Sequence, residues 1–129
     1  MGVTDNMTEV ARALNYYWNT FLPAYVEDTV PDDAELPYIT YTVADPDWGE
    51  SASIQARLWY KGTSLVPINA KTADIKEDIG EGKSIQTDTG YIVLNRDVNF
   101  SQYQPYDDIG KSNVKVVYLN LILQSYTRR

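Results

Sequence analysis

The sequence predicts an α+β domain in which an antiparallel sheet of about four to five strands packs against two helices, in the order α-β-β-α-β-β-β. Two segments repeat apolar residues at three- and four-residue steps, the period of one helix face. Other segments alternate apolar and polar residues or are rich in β-branched and aromatic ones, as strands are. The length of 129 residues and the hydrophobic content of 43% predict one domain, residues 1–129, with a single core.

The first helix is predicted over residues 4–21, where apolar residues follow the helical period. These residues are Met7, Val10, Ala11, Leu14, Tyr17, Trp18 and Phe21. Thr4 or Asp5 can serve as the N-cap, and Pro23 ends the helix. Residues 23–37 are acidic and proline-containing without a period, which predicts a loop that leaves room for a short edge strand at Ala24–Val26.

Residues 37–43 and 53–60 are predicted to form an antiparallel hairpin around the turn "ADPDWGE". In the first strand Ile39, Tyr41 and Val43 share one face. In the second strand Ile54, Ala56, Leu58 and Tyr60 point inward. Pro37 is acceptable at a strand start because its missing N–H removes no central ladder bond.

The second helix is predicted to begin after Ser64 as its cap and to end near Gly80. Two short strands follow, at residues 84–87 and 91–95, and then an irregular loop over residues 97–113. The last predicted strand is "VKVVYLNLILQSY", Val114–Tyr126, which has apolar residues on both faces. That pattern predicts a central strand covered on both sides.

The charge is −7 and is unevenly distributed: residues 13–56 hold eight carboxylates and no Lys or Arg. Such a chain is expected to repel nucleic acid, because nucleic-acid binding depends on neutralising phosphates. The chain has no cysteine and no histidine, which excludes disulfides, Cys-based zinc sites and the commonest general base. No apolar run reaches about 18 residues and no signal-peptide pattern is visible, so no membrane association is expected.

Three acidic motifs resemble catalytic or metal-binding sequences, and for each the simpler structural interpretation is favoured. "TDTG", residues 87–90, contains the Asp-Thr-Gly triplet of aspartic proteases, but Asp and Gly also suit a hairpin turn. "DPDWGE" fits a polar turn better than a calcium loop, and "EDTVPDDAE" fits a solvated acidic loop better than an acid/base pair. The sequence therefore predicts no catalytic, metal or cofactor-binding residue, with a small acid-dependent hydrolase using Asp88 or the acidic cluster kept as an alternative.

Eleven tyrosines and three tryptophans point instead to contacts, because aromatic residues are enriched at interfaces. Tyr38 and Trp59 lie out of register with the inward residues of their own strands. The 97–113 loop carries four large apolar residues, which either fold onto their own core or contact another chain. The predicted interface residues are Tyr38, Trp59, Phe100, Tyr103, Tyr106 and Ile109.

The order of these segments resembles the small tail-completion proteins of tailed phages, also called tail terminators or tail-to-head joining proteins. The resemblance is carried by the acidic loop followed by "LPYITYTV", by "RLWYKG", by "ADIKEDIG", by "TDTGYIVL" and by the closing strand, and so covers most of the chain. Its most recognisable element is Pro37-Tyr38-Ile39-Thr40-Tyr41. The 97–113 loop has no assigned role in that family.

The resemblance implies a structural virion protein without catalytic residues. Members form a ring, commonly a hexamer, that caps the tail tube, stops its polymerisation and joins the tail to the head. The implied partners are further copies of the chain, the tail tube protein and a head-completion or connector protein, and assembly would occur in the host cytoplasm. The acidic residues Glu27, Asp28, Asp32, Asp33 and Glu35 would form a ring surface or lumen past which DNA slides without tight binding. The alternative within this class is another neck component, such as a head-completion protein.

Overall fold

The computed structural model describes residues 6–105 and 113–127, which form two helices and a single sheet. The helices are α1 (Asn6–Asn19) and α2 (Val66–Ile79). The strands are β1 (Ala24–Val26), β2 (Tyr38–Tyr41), β3 (Ser51–Lys61), β4 (Lys83–Gln86), β5 (Tyr91–Pro105) and β6 (Val114–Tyr126). The predicted α+β class with two helices is therefore confirmed.

The sheet differs from the predicted one in strand number and in direction. It has six strands in the order β1-β2-β3-β6-β5-β4, and β1 runs parallel to β2 with Ala24 opposite Ile39. The reason is that the acidic loop after β1 carries the chain back to the beginning of β2, so both strands run the same way. The edge strand that the sequence left open at residues 24–26 does form, which makes the sheet mixed rather than antiparallel.

The predicted hairpin of β2 and β3 is confirmed, with Tyr38 opposite Trp59 and Tyr41 opposite Ala56. Ile54, Ala56 and Leu58 of β3 are buried as expected. The prediction that β6 is central is also confirmed, because it pairs with β3 on one side and β5 on the other. The strand register and the buried residues together show which face of the sheet points toward the core.

The helices cover one face of the sheet and build the core there. From α1 the buried residues are Val10, Ala13, Leu14, Tyr17 and Trp18, and from α2 they are Ile68, Ile75 and Ile79. These pack on alternate strand residues such as Leu58, Leu119 and Leu121. The prediction that β6 is covered on both faces holds only in part: Val116 is buried on the second face, whereas Tyr118 and Asn120 on that face are only partly buried. We call the side opposite the helices the open face.

The ends of α2 follow the sequence prediction closely. Pro67 lies in the first turn, and the Ser64 hydroxyl accepts a hydrogen bond from Val66 N–H at 3.1 Å, although the N-cap position itself is Leu65. Gly80 ends the helix at φ 52°, a left-handed conformation that favours glycine. The caps proposed for α1, Thr4 and Asp5, lie outside the described residues.

The largest departure from prediction concerns residues 97–113. Instead of leaving the sheet at residue 97, β5 continues to Pro105 after an irregularity between Arg96 and Ser101. Backbone pairing with β6 holds residues 101–105 in a strand, and the polarity of Ser101, Gln102 and Gln104 reflects their exposure rather than a loop. The remainder of the predicted loop, residues 106–112, lies outside the described part of the chain.

Replacing Tyr17 by phenylalanine is expected to lower the free energy of unfolding at neutral pH by about 1 kcal/mol. The Tyr17 hydroxyl is buried between helices and donates to Asp78 Oδ2 at 2.7 Å. Burial, and then that hydrogen bond, raise the pKa of Tyr17 well above its ordinary value of 10.0. The unfolded chain therefore loses this proton first, and stability falls as the pH rises above about 10. Urea unfolding from pH 7 to 11 should show a shallower fall in the variant, and an unchanged slope would contradict this assignment.

Candidate interaction surface

Three aromatic side chains form a patch at the β1-β2-β3 end of the open face. Tyr25 and Tyr38 meet edge to face with ring centroids 5.8 Å apart, and Tyr38 lies 6.3 Å from Trp59. The Trp59 indole N–H donates to Thr40 Oγ1 at 2.9 Å, which fixes the ring orientation. Tyr25, Tyr38 and Trp59 are each partly buried. We call these three residues the aromatic patch; their role in a contact stays a prediction.

A charged pair beside the aromatic patch joins the acidic loop to β3. Arg57 Nε lies 3.4 Å from Glu27 Oε1, and the Arg57 guanidinium stacks over the Tyr118 ring at 4.7 Å. Thr40 Oγ1 also donates to Glu27, at 3.2 Å. Glu27 therefore forms an ion pair within its own subunit, and its place in an acidic ring surface or lumen stays a prediction.

The other four predicted acidic residues remain available to solvent or to a partner. Asp28, Asp32, Asp33 and Glu35 are exposed, and none of the ion pairs found among the described residues involves them. Asp33 and Glu35 lie at a cleft of about 570 Å³ whose walls include Leu22, Tyr25 and Leu36. The loop thus presents concentrated negative charge at the β1 edge of the sheet.

A second aromatic cluster, absent from the sequence predictions, lies at the opposite end of the open face. Tyr91 and Tyr126 stack with centroids 4.9 Å apart, and Trp48 meets Tyr126 edge on at 5.5 Å. Trp48 is 57% exposed and Tyr91 40%. Side-chain alternation along β5 could have indicated this cluster. Because Tyr91 directly precedes the buried Ile92, its side chain points to the opposite, open face of the sheet. A polar stretch that includes the Gln55–Asn120 hydrogen bond separates the two clusters.

The four aromatic and apolar residues predicted in the 97–113 loop have different outcomes. Phe100 is buried at 7% exposure within its own core, so its assignment as a contact residue is wrong. The irregularity in β5 turns its ring inward under the sheet. Tyr103 is 39% exposed and remains available. Tyr106 and Ile109 lie outside the described residues.

The acidic motifs considered for catalysis have structural partners. "TDTG" forms the turn between β4 and β5, with Thr87 N–H bonded to Gly90 O at 2.9 Å. Asp88 is exposed and pairs with Arg12 at 3.0 Å, unlike the buried, proton-sharing carboxylates of an aspartic protease. Glu9, buried on α1, accepts hydrogen bonds from the Thr89 hydroxyl at 2.9 and 3.0 Å and from its N–H. These contacts anchor α1 to the turn.

Neither a cluster of metal ligands nor a helix able to span a membrane is found in the described residues. Within residues 6–105 and 113–127, no three His, Cys, Asp or Glu side chains cluster closely enough to hold a metal ion. The helices of this same part of the chain are too short or too polar to cross a bilayer. No protein-family model matches the chain, and no curated protein matches it either.

Proposed function

We propose that this chain is a structural, ring-forming subunit of a phage-type tail, acting as a tail terminator that caps the tube, stops its polymerisation and joins tail to head. The observation that carries the proposal is the open face, where two aromatic clusters lie without a covering helix in the described residues. Trp, Tyr and Arg are the residues that most often dominate contact energy, and the aromatic patch with Arg57 supplies all three. The resemblance of the motif "PYITYTV" and its flanking segments supplies the functional class.

The charge distribution supports the same proposal. Asp28, Asp32, Asp33 and Glu35 give one edge of the subunit a negative surface without a neutralising partner among the described residues. On a ring surface or lumen wall, such carboxylates would let DNA pass without tight binding. The partners are further copies, the tail tube protein and a head-completion or connector protein, and the location is the virion neck.

Another neck component, such as a head-completion protein, would use the same open face and would also form a ring. A purified complex with tail tubes separates the two: a terminator binds the end of a tube and halts its growth. A hydrolase receives no support from Asp88, which is exposed and engaged by Arg12.

Replacing Trp59 by alanine is expected to weaken assembly by about 2 kcal/mol or more, because large aromatic anchors dominate contacts of this kind. The variant should stay folded, since Trp59 is only partly buried in its own subunit. Native mass spectrometry and negative-stain microscopy, with and without tail tubes, would measure ring formation.

Val66→Ala is the matched control, because Val66 is 74% exposed but lies on α2, away from the open face. It should assemble as the wild type does. Normal rings from a folded Trp59→Ala variant would show that the aromatic patch is not a subunit contact. A wild-type protein that never forms a ring, alone or on tubes, would overturn the proposed function.

A further inference from the structure

The two edge strands of the sheet differ in whether their outward backbone groups have hydrogen-bond partners. At the β1 edge, side chains occupy outward backbone groups: Asn19 Oδ1 accepts from Ala24 N–H at 3.1 Å, and Thr29 donates to Val26 O through its N–H and its hydroxyl at 3.0 and 2.6 Å. Such capping prevents another strand from adding there. The β1 edge is therefore largely closed by its own side chains.

The β4 edge carries no such capping in the described structure. Thr87 N–H donates a hydrogen bond to Gly90 O across the turn. Because every second residue of an antiparallel strand bonds to the same neighbour, Ile85 and Lys83 are the residues of β4 that bond to β5. The N–H and C=O groups of Ser84 and Gln86 then point away from the sheet, and both residues are exposed. Two exposed residues thus offer backbone donors and acceptors at the spacing of a strand.

A groove runs along this edge between β4 and α1. It has a volume of about 300 Å³, and Ala13, Tyr16 and Ile85 form its apolar lining. Ala13 and Ile85 are buried at its base, whereas Tyr16 is 75% exposed at its wall. The rim carries the Arg12–Asp88 ion pair, whose charges cancel, and the Glu9 carboxylate, which also lines the groove, is buried and accepts hydrogen bonds from Thr89. The groove therefore favours an uncharged, extended segment with one large apolar side chain.

The chain itself presents such a segment on β5. β4 pairs only with Tyr91–Leu94, so residues 101–104 of β5 have β6 on one side and no strand partner on the other among the described residues. The backbone N–H of Ser125 bonds to Glu50 O, on the β3 side of β6. Because backbone bonds alternate between the two neighbours of a central strand, the odd-numbered residues of β6 bond to β3 and the even-numbered residues bond to β5. Gln102 and Gln104 consequently bond inward, and the backbone groups of Ser101 and Tyr103 face outward.

The side chain of Tyr103 has the orientation that the groove requires. Tyr103 lies opposite Val117, a core residue, and therefore points to the helix side of the sheet, yet it is still 39% exposed. The segment "SQYQ" carries no charge, which matches the neutral rim of the groove. The outward backbone groups, the lack of charge and the side-chain direction of residues 101–104 therefore all match the β4 edge and its groove.

We propose that residues 101–104 of a second copy add to the β4 edge and insert Tyr103 into the groove formed by Ala13, Tyr16 and Ile85. Because β4 and residues 101–104 lie along the same edge of the sheet, the contact is reciprocal and two-fold: each copy gives and receives a Tyr103. The inference goes beyond the proposed ring, since a two-fold contact makes pairs and does not close a head-to-tail ring.

Proline at an outward position tests the backbone part of the contact. Ser84→Pro and Gln86→Pro remove one outward N–H each, without removing a bond to β5. Gln86→Thr retains the N–H and is the matched control. Native mass spectrometry across a concentration series should show dimers for the wild type and Gln86→Thr, with the dissociation constant raised at least about tenfold in both proline variants. Tyr103→Ser should have the same effect.

Amide hydrogen exchange gives a readout that does not depend on variants. The amides of Ser84, Gln86, Ser101 and Tyr103 should exchange more slowly as the wild-type concentration rises, whereas the capped amide of Ala24 should not change. Monomers at about 100 micromolar wild type, or proline variants that pair as well as Gln86→Thr, would overturn the contact. Rings that persist in proline variants that have lost two-fold pairing support the contact and leave the proposed function standing. Wild-type pairs that never assemble on tubes support it and count against the ring.

Discussion

The Gly90→Ala variant is expected to lose about 3 kcal/mol of unfolding free energy. A Cβ at Gly90 would collide with the backbone carbonyl of Tyr126, which cannot rotate away as a flexible side chain would. The collision would push the β4–β5 turn away from the end of β6 and disturb the Tyr91–Tyr126 stack. Urea unfolding followed by tryptophan fluorescence would measure the loss.

Gly62→Ala is the comparison variant for Gly90→Ala. A Cβ at Gly62 meets no heavy atom within 4 Å, so only the strain of its φ of 131° is added. It should therefore lose less stability than Gly90→Ala. Equal losses in the two variants would show that the close approach of Tyr126 is not the cause.

Replacing Thr89 by valine is expected to cost about 2 to 3 kcal/mol, because it removes the hydroxyl that bonds both oxygens of the buried Glu9. Glu9 is only 1% exposed, so water cannot replace the missing donor without opening the contact between α1 and the turn. Thermal unfolding would report the stability, and amide exchange along α1 would report the loosened anchor.

Thr87→Val is a matched control two residues away. The Thr87 hydroxyl is buried and finds no hydrogen-bond partner within the part of the chain that the structure describes. Its removal should be neutral or slightly stabilising, since no bond is lost and a buried polar group disappears. A Thr87→Val variant as unstable as Thr89→Val would mean that the turn tolerates no valine, and that the Glu9 bonds do not explain the loss.

The elements with a strong period were predicted correctly from sequence. The apolar steps of α1, the alternation in β3 and the apolar length of β6 each reflect burial, which acts directly on residue choice. β5 was predicted too short because residues 97–105 are mostly polar, so no sustained apolar pattern marks a strand there. Only pairing with β6 reveals it, and pairing between distant segments leaves no local signal.

The candidate surface was predicted less well, for a related reason. The alternation of side chains along each strand correctly placed Tyr38 and Trp59 on the face of their hairpin that points away from the core. Alternation could not show that Arg57 forms an ion pair with Glu27. Phe100 was misassigned because residues 97–113 were predicted as a loop, whereas β5 continues past an irregularity after Arg96 and Phe100 packs in the core. The cluster of Trp48, Tyr91 and Tyr126 joins three segments distant in sequence, and only the fold brings them together.

The position of β6 has a consequence for how the protein comes into being. β6 follows the other five described strands in the chain and is synthesised after them, but it lies between β3 and β5 and joins them. Until it arrives, the nascent chain holds two separate half-sheets, β1-β2-β3 and β4-β5, each with a long bare edge. Pairing of such distant segments is slow, and unpaired edges favour aggregation during the wait. The rate at which β6 pairs with β3 and β5 should therefore set both the folding time and the yield of folded protein.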